Sequence, residues 1–251
     1  MRTLILIAAA GLLAGSAASA WADSPGDRST VTNRQQIAKS AELKGDVARA
    51  REEYGSAVNW YRVAVLSDNS NAVLYNKLGI AELKLGDMDQ ARKAFGDAVK
   101  RDPAFVDALN NLGAVNCLQR RYKPAVRYLK QALALDEQRA VTHLNLAESW
   151  MGQGQVERAM TEYTRALELD ADILNSTASD GVNAQIATPE QRAAVDFLIA
   201  KAYAKRGNLE GALDYLTRAK EAHYRNLAAV YTEPEFAPLW RDPRLATIVK
   251  R

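Results

Sequence analysis

The chain has 251 residues, of which 48% are hydrophobic and 25% charged, with 14 Gly and 7 Pro. This composition is that of a globular protein and excludes a largely disordered, collagen-like or polytopic membrane protein. A net charge of +3 is too small, and too evenly spread along the sequence, to indicate a nucleic-acid-binding surface. One Cys excludes an intrachain disulfide framework and, with only two His, argues against a His/Cys metal site.

The first twenty residues have the pattern of a secretory signal peptide. Arg2 provides a basic start, residues 4–13 are an uninterrupted apolar run, and residues 18–20 are all small. This pattern predicts cleavage between Ala20 and Trp21. The alternative is an uncleaved membrane anchor, but the apolar run is shorter than the roughly 20 residues that span a bilayer. We therefore expect a periplasmic or secreted protein with no membrane span in the mature chain.

A second feature of the same segment concerns lipidation. Residues 13–16 resemble a bacterial lipobox in which Ser16 stands where the lipidated Cys would be. A hydroxyl group cannot form the thioether bond to diacylglycerol. We therefore expect that the protein is not a lipoprotein.

Beyond a polar segment at residues 21–34, predicted to be a flexible lead-in, the sequence repeats every 34 residues. The repeating sets are Gly79 and Gly113; Ala91, Ala125 and Ala159; Ala98, Ala132 and Ala166; Phe95, Leu129 and Tyr163; and Leu78, Leu112 and Leu146. Within a unit the spacing is helical, and small residues occur where two helices would approach closely. The pattern predicts a repeat array over residues 35–173, with helix–turn–helix units near 38–71, 72–105, 106–139 and 140–173.

The array is interrupted once, before a fifth unit at residues 193–224. About nineteen extra residues, 174–192, separate it from the fourth unit. Their Ser, Thr, Asn, Asp and Gly content predicts a loop, which is either a functional excursion or a tolerated insertion. Near its end, Thr188 and Pro189 form a suitable helix start.

The last segment, residues 225–251, departs from the repeat. Two prolines near helix starts predict two short helices that cap the apolar end of the array. The residues predicted to point inward are Phe236, Leu239, Trp240, Leu245 and Ile248. The alternative is that Phe236 and Trp240 form a partner-binding patch.

The 34-residue unit resembles the tetratricopeptide repeat. Residues 75–103 match nearly every signature position, except that Glu82 replaces the usual aromatic residue. Ala147 replaces the small glycine of the fourth unit, and Lys44 occupies a normally apolar position of the first. The resemblance covers roughly residues 38–224. It implies an all-α fold, a right-handed α–α superhelix of about five helix–turn–helix repeats with a short helical C-terminal cap.

The resemblance also implies a protein-binding groove on the inner face of the first helices. The family's groove positions correspond here to Val73, Asn76, Ile80, Leu83, Asp107, Asn110, Ala114, Cys117, Val141, Leu144, Glu148 and Met151. Such a groove is mainly apolar, with Asn76 and Asn110 able to bond a peptide backbone. We therefore expect a scaffold that binds a peptide or helix of a partner protein, similar to exported repeat proteins that assist assembly of envelope, secretion or pilus complexes. The alternative is a self-associating structural protein.

The sequence contains no catalytic motif: it has no Gly-rich phosphate loop, no Ser elbow and no His-Glu-x-x-His. We therefore predict no catalytic, cofactor-binding or metal-ligating residues, and no enzyme. His143 occupies a large-residue position and is predicted to pack in the core. Cys117 is predicted to be a partly exposed thiol with no base beside it.

Overall fold

The structure is a computed structural model that describes residues 25–170, 172–173 and 189–250. The predicted signal peptide, its cleavage site and most of the predicted insertion lie outside these residues. The described helices are α1 (Pro25–Ala50), α2 (Tyr54–Ser67), α3 (Ala72–Lys84), α4 (Met88–Arg101), α5 (Val106–Leu118), α6 (Tyr122–Leu135), α7 (Ala140–Gly152), α8 (Val156–Leu169), α9 (Pro189–Lys205), α10 (Leu209–Glu221) and α11 (Pro243–Ile248), with two 3-10 helices at Leu227–Tyr231 and Pro234–Leu239. In this part of the chain no helix is both long enough and apolar enough to cross a bilayer.

The helices pack as consecutive antiparallel hairpins. Helices α1 and α2, α3 and α4, α5 and α6, α7 and α8, and α9 and α10 pair, and α2, α4, α6 and α8 each pack on the helix that follows. The predicted all-α repeat solenoid is therefore confirmed. The turn inside each of the first four hairpins contains one residue with left-handed φ: Glu52 (59°), Gly86 (93°), Arg120 (58°) and Gly154 (72°), spaced 34 residues apart.

The 34-residue period reflects a close approach between the two helices of a hairpin. Gly79 of α3 lies against the ring of Phe95 on α4, and a Cβ atom added to it would be 2.6 Å from Phe95 Cε1. Real carbon–carbon contacts have their optimum near 3.5–4.0 Å. The same arrangement recurs for Gly45 against Tyr61, at 2.6 Å, and for Gly113 against Leu129, at 2.4 Å. Glycine thus makes room for one large residue in each of the first three hairpins.

The N-terminal helix is longer than the sequence predicted. Helix α1 begins at Pro25, so residues 25–34 are helical and do not form the predicted flexible lead-in. Proline suits this place because its fixed φ fits the first turn of a helix. Lys44 is accommodated in the same helix because its ammonium group lies 4.4 Å from the ring centre of Trp60. Helices α1 and α2 therefore form a first hairpin.

Helix α9 starts at the position that the Thr188–Pro189 pair predicted, within the segment assigned to the insertion. It begins at Pro189, so residues 189–192 of the predicted insertion belong to the first helix of the fifth hairpin.

The C-terminal cap agrees with the prediction in its core and differs at its edge. Phe236, Leu239 and Leu245 are buried, and Ile248 is half-buried. Trp240 was expected to point inward but is 39% exposed, because its indole Nε1 reaches sideways to donate to the Val230 carbonyl at 2.9 Å. The cap also contains the 3-10 helix at 227–231, and 234–239 is 3-10 rather than α.

Candidate protein-binding surfaces

The first and second helices of the hairpins occupy different sides of the solenoid. First helices α5 and α7 of neighbouring hairpins are in direct contact, whereas the second helices α4 and α6 pack mainly on first helices. The first helices therefore form the inner face, and the second helices stand apart on the outer face.

A ladder of polar pairs joins successive first helices. Each pair is separated by 35 residues, one repeat plus one position: Glu42 with Lys77 (2.6 Å), Asn76 with Asn111 (3.0 Å) and Asn110 with Asn145 (3.1 Å). Asn110 also donates to Asn111 at 3.3 Å, which links the two amide pairs into one chain of hydrogen bonds. The ladder thus links the first helices of the first four hairpins.

The ladder corrects the role predicted for two groove residues. Asn76 and Asn110 were expected to bond a peptide backbone, but their side-chain oxygens accept hydrogen bonds from Asn111 and Asn145. Both side chains are buried, because an amide inside a packed interface must find its partners within the protein.

Most of the predicted groove is buried within the chain. The buried positions are Asn76, Asn110, Ala114, Cys117, Leu144, Glu148 and Met151. Val73 is 44% exposed, and Ile80, Leu83, Asp107 and Val141 are half-buried. Asp107 also forms an ion pair with Arg139. In this conformation the groove residues that a partner can reach are mainly Val73, Ile80 and Leu83 of α3, with one half-buried residue at the start of each of α5 and α7.

The buried polar groups of the inner face are bound to one another. The Tyr163 hydroxyl donates to Glu148 Oε1 at 2.5 Å, and the Tyr61 hydroxyl donates to Asp46 Oδ1 at 2.7 Å in the equivalent place of the first hairpin. Burial, together with the neighbouring carboxylate, raises the pKa of both phenols above the usual range. In both pairs the phenol therefore stays protonated at neutral pH and donates to the carboxylate across the hairpin.

Cys117 is fully buried, and the predicted partly exposed thiol is therefore wrong. Burial raises its pKa to about 11. A buried thiol of this kind packs as a small apolar side chain and is a poor nucleophile.

His143 packs in the core as predicted, but it also has two polar partners. Its Nδ1 lies 2.6 Å from Glu162 Oε2, and its Nε2 lies 3.0 Å from the carbonyl oxygen of Glu137. Burial alone would lower the pKa of the imidazole, but the bonds to Glu162 and to the carbonyl outweigh it and the pKa is raised.

Glu82, which departs from the family pattern, is buried as well. Arg62 of α2 donates to its Oε1 at 3.1 Å, so the preceding hairpin supplies the partner of the carboxylate. Burial raises the pKa of Glu82. Sequence reasoning missed this pair, although its members are only 20 residues apart.

The described residues contain no group of three or more His, Cys, Asp or Glu side chains placed to hold a metal ion. The arrangement of exposed apolar and charged surfaces on a repeat scaffold favours binding of another macromolecule.

Comparison with known families agrees with this architecture. Two family models described as tetratricopeptide repeat match residues 76–140 and 118–176. Among curated proteins, the small glutamine-rich tetratricopeptide repeat-containing protein 2 of Saccharomyces cerevisiae is 25% identical over 139 residues, covering 53% of this chain and 40% of the relative. Its namesake from Mycosarcoma maydis is 28% identical over 117 residues, covering 46% and 33%. The chain thus spans less than half the length of these relatives.

Solved structures show the same fold. MamA from Desulfovibrio magneticus superposes with a TM-score of 0.54 at 19% identity, covering 74% of this chain and 94% of that one. The pilF protein of Pseudomonas aeruginosa superposes with a TM-score of 0.54 at 18% identity, covering 82% and 89%. At this level of identity the likeness concerns the fold alone.

Proposed function

Since the chain is a tetratricopeptide repeat protein, and the repeat fold is a protein–protein interaction scaffold, we propose that it is a non-enzymatic adaptor of the bacterial cell envelope. In this proposal it binds a peptide or helix of a partner protein on the inner face of α3, where Val73, Ile80 and Leu83 remain accessible.

The accessible strip on α3 carries this proposal. Val73, Ile80 and Leu83 are spaced seven and three residues apart, which places them along one side of the helix. Val73 is 44% exposed and the other two are half-buried. An apolar strip of this kind suits the apolar face of an amphipathic partner helix.

Charged groups border the strip. Lys77 Nζ of α3 forms ion pairs with Glu42 Oε1 and Asp46 Oδ2 of α1, at 2.6 and 2.8 Å. These partly exposed charges can orient a partner without contributing much affinity, since exposed ion pairs are worth little. We therefore expect binding to depend mainly on the apolar strip.

Crosslinking tests the site. A photoreactive residue replaces Val73, and the matched control position is Leu135 on outer helix α6, whose side chain is 51% exposed. We expect one dominant adduct in the native envelope from position 73, and its loss on adding Leu83→Asp. A partner that crosslinks equally from position 135, or that persists with Leu83→Asp, would place binding elsewhere.

The envelope location rests on the predicted signal peptide. Purification of the mature protein from the producing cell and mass spectrometry of its N-terminus should give Trp21 as the first residue. An intact Met1 in a cytoplasmic fraction would refute export.

Self-association is the second candidate, and the exposed apolar side of α1 in the described part of the chain favours it. Val47 is 43% exposed, whereas its equivalents one and two repeats later, Ala81 and Val115, are fully buried beneath the preceding hairpin. Leu43 and Ile37 on the same helix are also exposed. If this end joins two copies, Leu43→Asp should convert a dimer to a monomer in sedimentation equilibrium. A monomeric unmodified protein at high micromolar concentration would exclude this candidate.

A further inference from the structure

Positive charge is concentrated in one part of the array, contrary to the even spread inferred from the sequence. Residues 88–131 contain nine Lys and Arg and four Asp and Glu, a net charge of +5 in a chain whose total is +3. Seven of these nine basic residues lie on the outer helices α4 and α6, and the other two lie in the turn before α6.

The surface contains a trough, which we call the outer trough. Helices α4 and α6 form its walls, and Leu112 and Asn116 of α5 lie at its floor. Its volume is about 490 Å³. Five basic side chains line it: Arg92, Lys93, Lys100, Arg121 and Arg127. Asp89 is the single acidic side chain among the described residues that line it.

Much of this positive charge is available to a ligand. The side chains of Lys93 and Arg121 form no direct hydrogen bond or ion pair with the described residues, although Lys93 lies within electrostatic reach of Glu82 and Arg121 of Asp89. Arg92 makes one long contact, 3.4 Å from its Nη2 to Asp89 Oδ1. Its Nε is buried and has no hydrogen-bond partner in the described structure. Asp89 is held ionised, since hydrogen bonds from Gln119 and Arg92 lower its pKa. Lys100 pairs with Asp97 of α4 at 2.9 Å, so two carboxylates, Asp89 and Asp97, face five basic side chains and an excess of positive charge remains.

We propose that the outer trough binds an extended acidic segment of a partner protein. Helix α4 has 14 residues and so is about 21 Å long at 1.5 Å per residue. About six residues of extended chain cover the same distance at about 3.3 Å each. An extended peptide fits between two helices, and its carboxylates can pair with basic side chains of both walls.

The shape of the trough disfavours other polyanions. A membrane surface is flat on this scale and does not enter a furrow between helices. Single-stranded nucleic acid is bound mainly by stacking of bases on aromatic rings. The one aromatic side chain of the lining, Tyr128, is already covered by Arg127, whose guanidinium lies 4.7 Å from the ring centre and donates to the hydroxyl at 2.9 Å.

Fluorescence anisotropy with labelled hexaglutamate tests this proposal, with labelled hexaglutamine as the uncharged probe. We expect hexaglutamate to bind at low salt and its affinity to fall as the salt concentration rises. Hexaglutamine should not bind. The double variant Lys93→Glu/Arg121→Glu should weaken binding at least about tenfold, because it replaces two attractions by two repulsions. Both residues are exposed and neither holds another element in place, and circular dichroism checks that the variant is folded.

A matched control separates the trough from net charge. Arg225→Glu/Arg241→Glu makes the same change of total charge at exposed positions near the C-terminal cap, and should change binding less than about twofold. Equal losses in both double variants would overturn the proposal. The proposal would also be overturned if an oligothymidylate or anionic phospholipid vesicles bound more tightly than hexaglutamate and Lys93→Glu/Arg121→Glu abolished that binding. The trough would then bind another polyanion.

The outer trough and the α3 strip are tested independently. Leu83→Asp should leave hexaglutamate affinity unchanged, and Lys93→Glu/Arg121→Glu should leave the crosslink from position 73 unchanged. The failure of one site is therefore distinguishable from the failure of the other.

Discussion

A single added methyl group at Gly79 tests the close packing that sets the repeat period. In Gly79→Ala the new Cβ would lie 2.6 Å from Cε1 and 2.7 Å from Cδ1 of Phe95. The Phe95 side chain is fully buried, so the ring has no open space into which to move. To reach ordinary contact distance, the ring or one of the helices must shift by about 1 Å.

The expected magnitude follows from two opposing effects. Overpacking a well-filled core costs about 1–3 kcal/mol, whereas replacing glycine in a helix interior gains about 0.5–1 kcal/mol. We therefore expect Gly79→Ala to lower the free energy of unfolding by about 1–2 kcal/mol. Gly96 on α4 provides the matched control, because a Cβ there meets nothing within 4 Å. Gly96→Ala should raise the free energy of unfolding by up to about 1 kcal/mol.

Urea unfolding followed by circular dichroism measures both variants. Repeat arrays can unfold in stages, so hydrogen exchange of the amides in α3 and α4 should show that the loss begins in this hairpin. If Gly79→Ala were as stable as Gly96→Ala, the close approach of Gly79 to Phe95 would not explain why glycine recurs every 34 residues.

Three further predictions concern buried polar groups. Asn110→Ala removes the oxygen that accepts the hydrogen bond of Asn145 in the ladder. In a urea titration the free energy of unfolding should fall by about 1–3 kcal/mol. An unchanged midpoint would mean that the ladder does not hold the hairpins together. Cys117, fully buried and with its pKa raised to about 11, should react with a thiol reagent at pH 8 only in urea that unfolds the protein; rapid reaction of the native protein would contradict the packing. Because the pKa of His143 is raised, its contribution to stability should be full below the unfolded value of about 6.5 and be lost as pH rises through the folded value. Glu162→Gln should flatten that dependence, and an unaltered profile would show that the bond to Glu162 is not its cause.

The fold could be predicted because its determinants are local and repeated. Gly79 and Phe95 are 16 residues apart, and the same pairing recurs one repeat earlier and one repeat later. A period of this kind reports directly on which side chains meet between the two helices of a hairpin. Capping chemistry located the start of α9 at Pro189, whereas the 34-residue period placed the fifth unit only from residue 193, because the insertion breaks the period.

The inner face could not be predicted in the same way. The family pattern assigns Asn76 and Asn110 to a groove, but it does not say whether an amide faces a ligand or the next repeat. The deciding signal was present in the sequence as an amide at one position and a second amide 35 residues later. Glu42 and Lys77 repeat that spacing with opposite charges. Residue pairs one repeat plus one position apart therefore distinguish stacking contacts from free groove positions.

The net charge of the whole chain also gave no indication of the outer trough. A total of +3 averages over the array, whereas folding gathers a net +5 into residues 88–131. The α3 strip and the outer trough lie on opposite faces of the array, because first helices are inner and second helices are outer. One partner bound through apolar contacts and another bound through an acidic segment could therefore occupy the array together. A hexaglutamate chain that saturates the trough should therefore leave the crosslink from position 73 in place, whereas loss of that crosslink would mean that the two sites exclude each other.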